Sequence, residues 1–118
     1  MIKRVEEEEY KVLTEWWNVH GWPPLPYQTL PETGYVCCED DGFPVIAGFL
    51  YKDETAALGM IEWVISNPES TKEQRTVRFD ELILRLLKDA EEKGVMILFS
   101  SVNHPKLIEN DGCSLVVA

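Results

Sequence analysis

Glu62 is a lone carboxylate in the apolar run Ala56-Ala57-Leu58-Gly59-Met60-Ile61-Glu62-Trp63-Val64-Ile65-Ser66. Burying a charge is costly, so a carboxylate there needs either a partner or a chemical task. As a structural group it would pair with an Arg, a Trp N–H or a loop amide. A second constellation gathers His20 with Trp16, Trp17 and Trp22. Stacking on a cofactor is one reading. The other is a core-facing aromatic cluster, with His20 near a helix C-terminus where a cation is favoured. The three cysteines have no metal or redox spacing. Cys37 and Cys38 are adjacent in a strand and would face opposite ways, so all three read as buried thiols in a reducing cytoplasm.

The elements that must position these groups centre on residues 61–94. The apolar run reads as a strand buried on both faces. Asn67-Pro68-Glu69 is an elbow, and a helix runs from about Thr71 to Lys93. Ser70 and Glu73 have capping-box spacing. Phe79, Ile83, Leu86, Leu87 and Ala90 form the apolar stripe, and Gly94 stands where a left-handed cap is expected. A second apolar run, Val95 to Phe99, follows at once. Strand, helix and strand with short joins make a βαβ unit, so the two strands should be parallel neighbours.

Upstream, Ile2 to Val5 is a short strand, and Glu6 to Glu9 open a helix carrying Tyr10, Leu13, Trp16, Trp17 and Val19. Gly21 can end it. Prolines 23, 24, 26 and 31 forbid regular structure, and Trp22, Leu25, Tyr27 and Leu30 would pin that loop to the domain. Residues 34–39 and 43–51 read as antiparallel strands around Asp40-Asp41-Gly42, with Gly48 a bulge or a close approach. Downstream, Asn103 to Asn110 is a short helical segment and Cys113 to Val117 a last strand.

With 118 residues and 45% hydrophobic content, residues 1–118 suit one domain with a real core. No run approaches the ~20 apolar residues of a membrane span. The charged, acidic N-terminus does not read as a signal peptide, so a cytoplasmic location is expected. A formal net charge of −10 argues against nucleic-acid and anionic-membrane partners. It suits solubility or a basic protein partner.

The order strand, helix, three antiparallel strands, helix, strand, short helix, strand resembles the GNAT N-acetyltransferase superfamily. Ser66-Asn67-Pro68 looks like the family's strand end, Ala90-Glu91-Glu92-Lys93-Gly94 like its helix end, and Asn103 with Gly112-Cys113 like its Asn and Gly-Phe. Trp17-x-x-His20-Gly21-Trp22-Pro23, with Leu30-Pro31 and Gly34, looks like small GNAT-like proteins encoded by tailed phages. The resemblance implies an α/β, acyl-CoA N-acyltransferase fold, with a mixed, mostly antiparallel sheet and flanking helices. It also implies acetyl-CoA as co-substrate and an amine acceptor. Glu62 would be the general base, Val64 and Ile65 would offer backbone groups to the pantetheine arm, Arg75 and Arg78 would contact phosphates, and Asn103 would contact pantetheine or cap a helix.

The chain departs from that pattern where phosphate is bound. Val77 and Phe79 replace both glycines of the family motif, and an earlier helix start would spend the backbone N–H groups of Gln74 to Phe79 within the helix. Lys72, Arg75 and Arg78 would then act through side chains. Ile108 stands where the family has its acidic Tyr, leaving Ser101 or His104 as donors. The rival expectation is a non-catalytic GNAT-like protein-binding module, or phage effector, that has lost acetyl-CoA binding. A Pro-Trp loop and a short final strand would also allow a homodimer.

Overall fold

The computed structural model describes residues 1–100 and the backbone of Ser114–Val117. Chain order gives β1 (Ile2–Arg4), α1 (Glu7–Val19), a 3-10 turn (Tyr27–Thr29), β2 (Thr33–Cys38), β3 (Pro44–Lys52), β4 (Leu58–Ser66), α2 (Lys72–Glu92), β5 (Ile97–Ser100) and β6 (Ser114–Val117). The six strands lie in one sheet in the order of the chain. β1 to β4 pair antiparallel, whereas β4–β5 and β5–β6 are parallel. The βαβ unit is therefore present, within a mixed, mostly antiparallel sheet.

Strand alternation splits the core across the sheet. On one face Tyr35, Cys37, Leu50 and Ile61 meet Leu82, Ile83, Leu86 and Ala90 of α2. On the other, Val36, Cys38, Ala47, Phe49 and Ile65 meet Leu13, Trp16 and Trp17 of α1. Cys37 and Cys38 thus face opposite ways, and both are buried. β4 is less enclosed than its composition suggests: Met60 is 43% and Trp63 41% exposed. Burial on both faces fails there because neither helix covers that part of the strand with its core residues.

Both helices are capped by their sequence. The Glu6 N–H donates to Glu9 Oε1 at 3.0 Å in the first turn of α1. The α2 capping box is made by Thr71 and Gln74, not by Ser70 and Glu73: Gln74 N–H donates to Thr71 Oγ1 at 3.1 Å, and Thr71 N–H to Gln74 Oε1 at 2.9 Å. The expected Ser70 cap is lost because its hydroxyl donates to the Asn67 carbonyl at 2.6 Å, inside the elbow. At the other end Gly94 adopts φ 78°, and Val95 N–H returns to the Ala90 carbonyl at 2.9 Å.

Candidate functional site

The β3–β4 register breaks at the middle of β4. Ala47 faces Ile65 and Phe49 faces Glu62, so the single residue Gly48 lies opposite both Trp63 and Val64. This is a β-bulge, and Trp63 occupies it at φ 58°. Ile61 packs on the α2 side, whereas Glu62 shares its face with Phe49, on the α1 side. Pairing with β5 is described from Leu58–Ile97 to Ile61–Ser100, Ser100 being the last described residue of that strand. The half-buried Glu62 therefore sits immediately before the bulge.

A groove of about 310 Å³ opens between the end of β4 and the first turns of α2. Ile46, Val64 and Phe79 give it apolar walls, and Ser66, Lys72, Arg75 and Thr76 give it polar ones. Arg75 is steadied by donating to the Ser70 carbonyl at 2.6 Å. A guanidinium has five N–H donors, so this leaves capacity for an anion.

Backbone donors near the groove are mostly spent. Asn67 N–H donates to the Val45 carbonyl, Ser70 N–H to the Asn67 carbonyl and Arg75 N–H to the Thr71 carbonyl. Glu69 N–H donates to Asn67 Oδ1. Thr71 and Gln74 N–H are taken by the capping box. Among the described residues, the N–H groups of Lys72 and Glu73 remain.

The expected site residues separate. Val64 lines the groove with Arg75, while Ile65 pairs with Ala47 and packs on the opposite face. Arg78, expected beside the phosphates, does not line the groove. Its guanidinium donates to Glu39 at 2.7 Å and to Glu81 at 2.8 Å, and these carboxylates raise its pKa. The helical turn between Arg75 and Arg78 carries the second side chain toward the β2–β3 connection. Asn103, Ser101, His104 and Ile108 lie outside the described residues. Of the two glycine replacements, Val77 points to solvent at 57% exposure and Phe79 packs on the α2 core and lines the groove.

The expected aromatic cluster is divided. Trp16 and Trp17 are buried, but Trp22 and His20 stay at the surface, their rings 5.8 Å apart. His20 Nε2 lies 3.1 Å from the Ser66 carbonyl, tying the end of α1 to the end of β4 when that nitrogen carries the proton.

Sequence reasoning missed Tyr51. It pairs with Met60 across the strands, donates its hydroxyl to the Thr29 carbonyl at 3.2 Å and has the Trp63 side chain as a polar neighbour. Burial pushes its pKa up, the Trp63 side chain pulls it down, and the Glu62 charge pushes it up again. Only Gly48 hinted at the bulge that brings Trp63 to Tyr51.

No protein-family model matches the sequence. No curated protein matches it either. Solved structures do match the fold. A Mycobacterium tuberculosis protein in complex with CoA and NLQ has a TM-score of 0.65 at 16% identity, over 81% of this chain and 60% of that one. The ribosomal-protein-S18-alanine N-acetyltransferase from Escherichia coli has 0.63 at 12%, over 83% and 63%. A Trypanosoma brucei acetyltransferase has 0.60 at 18%, over 91% and 85%. The chain thus spans less than two thirds of the first two proteins. It has the α/β acyl-CoA N-acyltransferase fold that these GNAT structures share.

Proposed function

We propose that the protein is an N-acetyltransferase that moves an acetyl group from acetyl-CoA to an amine. The observation that carries this reading is the groove between the end of β4 and the first turns of α2, walled by Val64, Lys72 and Arg75, on the strand whose bulge lies next to Glu62. A thioester arm lying in that groove would run along β4 toward the bulge and Glu62. Val64 supports it as an apolar wall of the groove, and backbone contacts from Val64 and Ile65 to the arm remain an expectation. Lys72 and Arg75 suit the phosphates, together with the N–H groups of Lys72 and Glu73 at the positive end of α2. Arg78 is left out of this set because two carboxylates already hold it.

In the reaction the acceptor ammonium gives a proton to Glu62, and the amine nitrogen attacks the thioester carbonyl carbon. The carbon–sulfur bond then breaks, the leaving thiolate takes up the second proton that the acylated nitrogen loses, and Glu62 returns its proton to solvent. An amide and free CoA result, with no covalent enzyme intermediate. Calorimetry with acetyl-CoA at low and physiological salt tests the reading. Binding should weaken about tenfold in Arg75→Ala, the loss of one charge-assisted contact. Glu62→Gln should bind acetyl-CoA as the parent does and lose turnover. A folded parent that binds no acetyl-CoA would overturn the reading.

A second reading is favoured by Phe79, whose ring lines the groove at a position where the family has glycine. It is a non-catalytic module for a basic protein partner, in keeping with the net charge of −10. Absence of acetyl-CoA binding would turn attention to it.

A further inference from the structure

Beyond the bulge, the α1 face of β3 and β4 carries a surface that neither core cluster uses fully. Tyr51 pairs with Met60 and Phe49 with Glu62, so these four share one face. Phe49 is wholly buried, but Met60 beside it is not. Trp63 joins them from the bulge as a neighbour of Tyr51, and also stays largely open. A bulky residue at positive φ is strained and persists only where its surroundings fix it. Here the bulge sets the Trp63 backbone next to Glu62, and its neighbour Tyr51 is itself tied to the Thr29 carbonyl. Exposed apolar side chains around one acid match a particular ligand chemistry. An indole face and a thioether favour an apolar body, the indole also attracts a cation, and the carboxylate supplies the counter-charge.

We infer that Tyr51, Met60 and Trp63 form, with Glu62, a subsite for an alkylammonium group whose apolar chain lies against Trp63 and Met60 while its charge meets Glu62. The inference deepens the acetyltransferase reading and rests on it for its catalytic meaning: the acceptor is a primary amine on an apolar stem, not an amino sugar or an acidic amine. A carboxylate has about four lone-pair sites, so other contacts of Glu62 leave room for the ammonium. Tyr51 acts through Trp63 and is a positioning residue.

The experiment needs no acetyl-CoA. The indole N–H signals of the protein's tryptophans are followed by nitrogen–proton NMR, and that of Trp63 is assigned by its loss in Trp63→Phe. n-Butylammonium, n-butanol and butyrate are titrated separately. The Trp63 signal should shift saturably with n-butylammonium at millimolar concentration and barely with butanol or butyrate. Glu62→Gln should weaken that response about tenfold, and Met60→Lys, which places a repelling cation in the subsite, should remove it while other indole signals keep their positions. Equal shifts with butanol, or a Trp63 signal unmoved by the amine, would overturn the inference. The two readings fail separately. Amine binding without acetyl-CoA binding leaves the subsite and removes the transferase, whereas acetyl-CoA binding with a silent Trp63 does the reverse.

Discussion

Gly48 packs directly against Val64: a Cβ added to the glycine would stand 3.2 Å from Val64 Cγ2, and 3.1 Å from Leu82 Cδ2. One residue of β3 thus answers for two of β4 and leaves α2 room to lie on the bulge. Gly48→Ala should cost about 1 kcal/mol, because the crowded atoms are side-chain ends that can shift. Gly34→Ala should cost more, about 3 kcal/mol, because its Cβ would meet the ring of the fully buried Phe49 at 2.3 Å. Urea denaturation of both variants checks the order, and a Gly34 variant no less stable than the Gly48 variant would contradict it.

Arg78 and Arg75 should give opposite results. The Arg78 side chain is only 17% exposed and serves Glu39 and Glu81 together. Arg78→Ala should lower stability by about 1–3 kcal/mol, since hydrogen bonds to charged groups are lost and two carboxylates are left crowded. Arg78→Lys should recover little, because a point charge cannot bridge both acids. Acetyl-CoA affinity should stay at the parent value in Arg78→Ala. Arg75→Ala should keep the melting temperature within about 2 °C, a surface-sized change. A stable Arg78→Ala would remove the ion-pair role assigned to that residue.

Alkaline pH should destabilise the fold through Cys37. Burial, then the charge of Glu81, pushes its thiol from 9.0 up to about 12. The native state keeps that proton while the unfolded chain loses it near pH 9, so the unfolded state binds fewer protons above that point. The contribution of Cys37 is complete below pH 9 and falls as pH rises toward 12. Tyr35, raised by burial and then by its hydrogen bond to Asp89, acts in the same direction from 10.0 upward. Cys37→Ala should flatten the fall in stability between pH 9 and 11. Equal slopes for the parent and this variant would sink the assignment.

Tyr35, Asp89 and Arg85 should behave as a unit. The Tyr35 hydroxyl donates to Asp89 Oδ2, and Arg85 lies over the Tyr35 ring at 4.7 Å with its Nε 3.5 Å from Asp89 Oδ1. Tyr35→Phe removes a donor from a largely buried carboxylate and should cost about 1–3 kcal/mol. In a double-mutant cycle with Asp89→Asn the two losses should be less than additive by at least ~0.5 kcal/mol. Strict additivity would show that the contact carries no coupling.

Much of the fold was legible because its signals are local. The stripe from Phe79 to Ala90, Gly94 and the apolar run after it mark α2 and the parallel strand without reference to the rest of the chain. The α2 cap was misplaced by one residue because Ser70 and Thr71 both suit that position, and the choice depends on the elbow bond from Ser70 to Asn67. The candidate site was less legible. Glu62 stood out by its charge, but its neighbours come from a register break, and pairing register is a long-range property. Arg78 looked equivalent to Arg75 in sequence. Glu39, separated from it by the whole of β3 and β4, decides its role.

The sheet that places its strands in the order of the chain has a consequence for synthesis on the ribosome. Each strand emerges after the neighbour it pairs with, so none has to be inserted between strands already joined. A nascent chain released as far as β4 could hold four paired strands with α1 across one side. Its other side, bearing Tyr35, Cys37, Leu50 and Ile61, would stay bare until the whole of α2 had left the exit tunnel. That interval is when a chaperone would have most to grip, and a pause in translation soon after β4 would lengthen it.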